Sequence, residues 1–596
     1  METRLLMGNE AIALGALRAG VRFVSGYPGT PSTEVLETVA KHRTDKVYVE
    51  WSVNEKSALE VAAGAAYSGA RAMVTMKQVG LNVASDPLMS LNYVGIKGGM
   101  VIVVADDPGP ISSQTEQDTR HFGQFAKLVV FDPSSPEEAY TMIADAFATS
   151  ERIGRPVLFR PTTRVCHGYA SVALLEDLMV PEPEGFVKDS SRWVIFPRLS
   201  FASHGKIEQT LVDLGGEFSS YAGNKLEGTG KKGIAAGGVS YAYVKEALAD
   251  IGAQCKLLKV ATTPFPRLLG EEFLNGLDEV LVVEELDPVI EKNLMELCYK
   301  TGAKVKILGK ASGDMPVAGE YTARGVENSV RSFLGLAPVQ LGAPELPPLP
   351  IRPPVLCAGC PHRGSFFAVK EACKGRKAVF SGDIGCYTLG NAMPLDMVDT
   401  CLCMGAGITV AQGIHRIDPD TDNLAFIGDS TFFHTGIPGI VNAVYNGTDI
   451  IVCILDNRTT AMTGNQPHPG IGRRVTGEPA PKADIYAFCK AAGVDAIERV
   501  SAFDLPAAKK AVEGMLGKKG VRVLLFEGAC IAVERGREII AYDEGKCTGC
   551  GACIRRLGCP ALSLAGGKAV VDQTLCTGCG LCVNVCAFGA LGGEGA

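Results

Sequence analysis

Residues 424–457 read LAFIGDSTFFHTGIPGIVNAVYNGTDIIVCILDN. An apolar run, Leu424–Gly428, delivers Gly428-Asp429-Ser430; a helix-like stretch follows, and a second apolar run, Ile450–Asp456, closes on Asn457. The 27 residues between Asp429 and Asn457 are enough for a helix and a return strand. A right-handed crossover would then set the two strand ends side by side. Asp429 and Asn457 would present hard oxygens suited to Mg²⁺, which bridges a diphosphate. The backbone carbonyl of Thr459 would complete the protein's share, and Gly428 would let the backbone approach phosphates closely. A bare GD…N pattern also fits an ordinary βαβ loop, so its surroundings decide.

Outward from that stretch the same grammar recurs. Val47–Glu50, Ala72–Met76, Met100–Ala105 and Ala378–Ser381 are apolar, β-rich and separated by helix-like segments. This is the pattern of α/β domains with parallel sheets. Each run ends near Gly, Asp or Asn, at the edge where open α/β sheets bind ligands. With 596 residues the chain has room for roughly three to five domains. The pattern weakens over 165–230, Leu341–Pro354 is rich in proline, and near Tyr542 the composition turns abruptly to Cys and Gly.

A formal charge of −7 over this length gives no reason to expect nucleic acid or an anionic membrane as a partner. The first twenty residues carry acids and arginines where a signal peptide needs an apolar core, and no run reaches the ~18 apolar residues that span a bilayer. The expectation is a cytoplasmic protein. Its twenty cysteines would then be reduced and available to metal.

Eight of those cysteines crowd into the tail as Cys547-x2-Cys550-x2-Cys553-x5-Cys559-Pro560 and Cys576-x2-Cys579-x2-Cys582-x3-Cys586. Two-cluster ferredoxins use C-x2-C-x2-C-x3-C-P runs whose fourth cysteine ligates the other cluster. On that rule Cys547, Cys550, Cys553 and Cys586 hold one [4Fe–4S] cluster, and Cys576, Cys579, Cys582 and Cys559 hold the second. The five-residue gap before Cys559, and Ala587 in place of a proline, leave room for one altered cluster, such as a three-iron form. Zinc ribbons would want pairs of CxxC rather than triplets.

The stretch GDS-x26-N resembles the thiamine-diphosphate motif, with Ser430 in place of its second glycine. Thiamine enzymes need a buried carboxyl beside the pyrimidine ring, and Glu55 is the candidate, with Glu50 the alternative. A plain helix N-terminus would also favour Glu55. Val49–Lys56 resembles the pyrimidine-binding domain of 2-oxoacid:ferredoxin oxidoreductases. Tyr27-Pro28-Gly29-Thr30-Pro31-Ser32 is similar to that family's Y-P-x-T-P-S loop, which implies that Thr30 contacts the substrate and cofactor region. Asp118-Thr119-Arg120 resembles its arginine segment; Arg120 would fork onto the oxoacid carboxylate or else form a surface ion pair. The family also implies a third cluster next to the thiazolium, held here by Cys357, Cys360, Cys386 and Cys530, against a reading of these as buried thiols. Cys401, Cys403 and Cys453 are expected to be buried free thiols. His362 and Arg363 are candidates for diphosphate contact.

The domain order is similar to that of the alpha subunits in the indolepyruvate branch of the family. The resemblance implies doubly wound parallel sheets that bind thiamine diphosphate, plus a two-cluster ferredoxin-like domain. Its divisions are a pyrimidine-binding domain over 1–165, a linker and a middle α/β domain like the transketolase C-terminal domain over 166–340, and a proline-rich linker over 341–354. A diphosphate-binding domain over 355–538 and the ferredoxin-like domain over 539–596 follow. It implies oxidative decarboxylation of a 2-oxoacid, an arylpyruvate such as indolepyruvate, to acyl-CoA and CO₂, with ferredoxin as acceptor. It also implies coenzyme A, Mg²⁺ and a smaller beta subunit in a dimer of heterodimers. The rivals are a non-oxidative thiamine decarboxylase, for which clustered cysteines are pointless, and a non-catalytic iron–sulfur carrier, which leaves GDS and Glu55 unexplained.

Overall fold

A computed structural model describes residues 2–339, 347–349, 353–534 and 538–592, so most of the proline-rich segment 341–354 lies outside the described residues. The chain divides into two compact units, Met1–Glu345 and Leu346–Ala596. Among the described residues no helix is long and apolar enough to cross a membrane.

The first unit contains two main sheets. One runs in the order Thr262–Thr263, Val129–Phe131, Val157–Phe159, Met100–Ala105, Ala72–Lys77, Phe23–Gly26, Tyr48–Trp51, parallel except at the Thr262–Thr263 edge. Ala72–Lys77 and Met100–Ala105 are nearly continuous Val, Met, Ile and Ala because both faces are covered by helices, the rule for parallel sheets. Thr262–Thr263 comes from the region expected to be a separate middle domain, so that region completes the first sheet's edge. The middle region's own sheet runs Lys306–Leu308, Glu279–Val283, Lys232–Ala236, Lys256–Lys259, Lys225–Glu227, with the last strand antiparallel.

Buried ions join the two sheets of this unit. Arg120 binds Asp118 twice through Nε and Nη2 (3.0 and 2.6 Å), Glu284 Oε2 through Nη1 (2.8 Å), and the carbonyls of Glu285 and Asp287. Glu284 follows the strand Glu279–Val283 and also accepts from the backbone of Ile290 and Glu291. Arg160 pairs with Asp106 and Asp132 in the same layer. All of these side chains are buried. Burial pushes the Glu284 carboxyl up, and Arg120's charge pulls it back. Of the two expectations for Arg120, the surface ion pair is corrected: the residue is buried, and its guanidinium nitrogens donate to Asp118, Glu284 and the carbonyls of Glu285 and Asp287.

The second unit carries a parallel sheet, Ala378–Ser381, Asp422–Gly428, Ile450–Asp456, Val521–Glu527, Ala496–Ser501. The tail does not hang apart from it. Leu557, Leu581, Val585 and Cys582 share one apolar cluster with Phe366, Phe426 and Leu524 of the sheet domain. Burying each such large side chain stabilises by roughly 1.5–3 kcal/mol, so the module is held by packing as well as by its chain connection. The hairpin Leu562–Ala565/Lys568–Val571 turns through Gly566 and Gly567, both at positive φ, as a two-residue loop of this kind requires.

Arg120→Met would leave Asp118 and Glu284 buried beside each other without their cation, which costs roughly 3–5 kcal/mol. We expect the midpoint of urea unfolding to fall accordingly. A variant of unchanged stability but weakened oxoacid binding would return Arg120 to the substrate.

Candidate functional site

In the second unit, adjacent parallel strands place Gly428 opposite Leu455, so Asp429 and Asn457 leave the sheet side by side. Asp429 is buried. Its Oδ1 accepts from the Ser430 N–H (2.9 Å) and its Oδ2 from the Arg458 N–H (2.8 Å). Arg458 reaches it by adopting a left-handed conformation, φ 62°, uncommon for a non-glycine residue and typical of strained functional loops. His468 Nδ1 accepts from the Gly470 N–H, which leaves Nε2–H to donate to Asp429 Oδ2 at 3.0 Å. Burial alone would raise the Asp429 pKa; the attraction and hydrogen bond of the His468 ring, with the hydrogen bonds of Asp456 and the Ser430 N–H, outweigh it and hold it below the usual carboxylate range. Beside it, Asp456 is pushed up to about 7 by burial and by Asp429.

Asn457 Oδ1 accepts from the Thr459 N–H (3.1 Å), and its Nδ2 faces His362 Nε2 at 3.2 Å. Burial holds the His362 pKa down to about 4, with Asp429 opposing, so the ring is neutral and accepts from the amide. His362 thus stands behind Asn457. Ser430 Oγ accepts from Thr460 Oγ1 (2.9 Å), closing the loop. The helix after Asp429 passes through a π-turn at Phe432–Gly436 before Pro438, which has no N–H to donate.

The carboxylate Asp429, the amide oxygen of Asn457 and the Thr459 carbonyl form a hard-oxygen set on one loop pair, which fits Mg²⁺ on a diphosphate. At Gly428 a Cβ would lie 2.4 Å from the Tyr387 ring, so packing against Tyr387 also requires a glycine there, although its φ of −78° is ordinary. Tyr387 in turn hydrogen-bonds Asp383 and Thr431. Burial pushes the Asp383 carboxyl up to about 7, against hydrogen bonds from the Ile384 and Gly405 N–H groups. Asp383, Tyr387 and His468 were missed from sequence because no local spacing connects them to the GDS loop.

The tail cysteines sort into two cavities. Cys547, Cys550, Cys553 and Cys586 line one; Cys559, Cys576, Cys579 and Cys582 line the other. Among the described residues no three His, Cys, Asp or Glu side chains converge on a point fit for one metal ion. Four cysteines around a wider cavity suit a polynuclear cluster better than zinc, which draws its thiolates to ~2.3 Å. The two extra residues before Cys559 are taken up in the helix Ala552–Leu557, which ends at Gly558 in the left-handed region. Cys559 therefore still reaches the second cavity.

The Cys357–Cys360 turn lines that second cavity through Ala358 and Gly359. Gly359 has φ +74°, and a Cβ would fall on the Thr577 hydroxyl. Cys360 lies within electrostatic reach of Cys357 and Cys386, and Cys386 of Cys530. The Cys530 N–H donates to the Asn457 carbonyl, next to the diphosphate loop. Arg363 is not at that loop. It is buried and donates to the carbonyls of Leu557, Gly558 and Leu356, between the CxxC turn and the tail. Cys453 is buried as expected, but Cys401 and Cys403 are exposed, because they sit on an irregular loop outside the sheet.

In the first unit, Glu55 opens the helix Glu55–Tyr67, whose N-cap Asn54 accepts from Ser57. Glu55 is buried, and its carboxylate presses on Gly80, where a Cβ would lie 2.6 Å from Oε1. Glu50 lies on the edge strand and accepts from the Tyr48 and Ser52 hydroxyls. Burial favours Glu55 as the activating carboxyl. Thr30 sits in the loop after Phe23–Gly26, and its carbonyl accepts from the Ser112 hydroxyl at 3.4 Å.

Three family models match. Residues 14–196 match the thiamine-diphosphate-binding domain of pyruvate flavodoxin/ferredoxin oxidoreductases, 383–526 the C-terminal binding domain of thiamine pyrophosphate enzymes, and 539–587 a 4Fe-4S dicluster domain. The indolepyruvate oxidoreductase subunit IorA of Methanothermobacter thermautotrophicus is 40% identical over 605 residues, covering 99% of this chain and 97% of that protein. IorA of Pyrococcus horikoshii is 41% identical with the same coverage. A 2-oxoglutarate:ferredoxin oxidoreductase from Magnetococcus marinus is similar over 55% of this chain and 65% of its own, at 17% identity and a TM-score of 0.45. With near-complete coverage by the IorA subunits and all three domain types in order, the chain belongs to the IorA family of thiamine-diphosphate-dependent 2-oxoacid:ferredoxin oxidoreductases.

Proposed function

We propose that this chain, with a smaller beta subunit, oxidatively decarboxylates an arylpyruvate such as indolepyruvate to the acyl-CoA and CO₂, and passes the electrons to ferredoxin. One observation carries the redox part of this reading. The two four-cysteine cavities share a compact unit and a single apolar core with the Asp429–Asn457 loop, so electron carriers are built into the domain that holds the cofactor's diphosphate. A non-oxidative decarboxylase would have no use for that joint core. The aryl preference is supported by the names of the IorA relatives. The complex is taken as a dimer of heterodimers.

Thiamine diphosphate, when bound, supplies the nucleophilic carbon and the electron sink for decarboxylation. Asp429, Asn457 and the Thr459 carbonyl would hold Mg²⁺ and through it the diphosphate. His468 keeps Asp429 ionised, and neutral His362 orients the Asn457 amide by accepting from its Nδ2. Glu55 would accept a proton from, or donate one to, the pyrimidine ring, and its burial against Gly80 would keep water from competing for that bond. Cys357, Cys360, Cys386 and Cys530 would hold a third cluster; Cys559, Cys576, Cys579 and Cys582, and Cys547, Cys550, Cys553 and Cys586, would hold the two tail clusters. When bound, these would supply one-electron carriers. The Ala358–Gly359 backbone of the first cysteine turn lines the cavity of Cys559, Cys576, Cys579 and Cys582. Exposed Cys550 marks the exit toward ferredoxin.

Anaerobic reduction of a viologen dye by the purified complex tests this function. Dye reduction that needs both arylpyruvate and coenzyme A is expected; release of the aldehyde with no dye reduced would favour the non-oxidative alternative. Glu55→Gln should stop turnover while calorimetry still shows cofactor binding, since the metal and diphosphate contacts remain. Cys576→Ala should remove one tail cluster by iron analysis and EPR and leave CO₂ release on the first turnover intact; full iron content would contradict the ligand assignment.

A further inference from the structure

The tail is an internal repeat in which Cys547, Cys550 and Cys553 recur as Cys576, Cys579 and Cys582. The likeness extends to the lining of the two four-cysteine cavities. Thr548 lines the first, and its counterpart Thr577 lines the second. Five residues before the leading cysteine of each half the two differ. Tyr542 lines the first cavity, and Val571, in the matching place, lines the second. Among the residues other than cysteine that line the two cavities, the Tyr542 hydroxyl is the polar side-chain group without an equivalent.

Tyr542 is held in place from both ends of the tail. It lies on the strand Ala541–Tyr542, which pairs antiparallel with Leu591–Gly592 and sets Tyr542 opposite Leu591. The next residue, Asp543, donates its N–H to the Ala590 carbonyl at 2.8 Å. That ribbon fixes the ring on the cavity wall with its hydroxyl shut off from solvent. Within the protein the hydroxyl finds no hydrogen-bond partner of good geometry. The group that comes within its reach is the Cys547 sulfur. The same sulfur accepts from the Ala569 N–H at 3.4 Å. A buried hydroxyl without an acceptor is costly, so a donor shut in with four cysteines calls for an acceptor in their cavity.

Resting on the two tail clusters of the reading above, we infer that Tyr542 is a tuning residue: its hydroxyl donates to the Cys547 sulfur of the bound cluster and raises that cluster's reduction potential. Adding one electron makes the cluster and its sulfurs more negative. A donor aimed at such a sulfur is charge-assisted and gains strength in the reduced state. Hydrogen bonds to the sulfurs are among the levers that set these potentials. Val571 offers the other cluster no bond of this kind. The hydroxyl thus biases the pair toward holding an electron at the cluster whose Cys550 is exposed, the side open to a protein acceptor.

The test is a redox titration followed by EPR on the full complex with its small subunit, wild type against Tyr542→Phe. Phe keeps the ring and removes only the hydroxyl. One cluster midpoint should fall in Tyr542→Phe by about 59 mV, equivalent to a tenfold change in a one-electron equilibrium, while the others hold. 3-Fluorotyrosine in place of Tyr542 is a more acidic and stronger donor, and it should move the same midpoint upward. A packing defect would not shift one midpoint in opposite directions in the two proteins. No midpoint shifted, several shifted together, or both proteins shifted the same way overturns the inference. If Tyr542→Phe does not assemble its clusters, the fluorotyrosine protein against wild type carries the comparison, and an unmoved midpoint is then the overturning result. Wild type with neither iron nor a cluster EPR signal would defeat the two-cluster reading itself, whereas intact clusters with unmoved midpoints defeat only the role of Tyr542.

Discussion

Parallel strands bring polar side chains to one edge of a sheet and bury them there, and the protein must satisfy each charge it buries. Most of the site's particulars follow from that constraint. Asp429 is held ionised by two backbone N–H groups and by His468, and one of those N–H groups is available because Arg458 accepts a left-handed conformation. Asp118 is held ionised by Arg120 and Arg160, whereas at Asp106, Asp132 and Glu284 the same two cations only partly offset burial. Asp383 and Asp456 meet the cost the other way, with raised pKa values that let each keep a proton near neutrality.

The same accounting explains Arg120. Its guanidinium, with every nitrogen engaged in the interior, is a rivet between two sheets. Three of its acceptors lie 164 to 167 residues downstream, so its sequence neighbourhood gives no sign of that structural role.

In the second unit the decisive feature is continuity of the core. The ferredoxin-like tail contributes Leu557, Leu581 and Val585 to the cluster that contains Phe366 and Phe426. Small residues set the closest approach: Gly359 lies where any Cβ would strike Thr577, and Gly364 where a Cβ would strike the Ala502 carbonyl. At both positions the packing tolerates no added atoms, which fixes how closely the tail approaches the sheet domain.

What the sequence by itself determined is whatever is encoded over short range. The strands Met100–Ala105 and Ile450–Asp456 fall where their apolar runs are written, because a strand buried on both faces needs an unbroken apolar segment. The sorting of the tail cysteines into two groups of three plus one was likewise legible, since three ligands of each group lie within seven residues. Tertiary structure alone decided which charged groups are paired, that Tyr387 packs where a Gly428 Cβ would lie, that His468 stands on Asp429, and that Cys401 and Cys403 are exposed. Those outcomes depend on partners tens to hundreds of residues away, and a local pattern carries no record of which distant group will arrive to satisfy a buried charge.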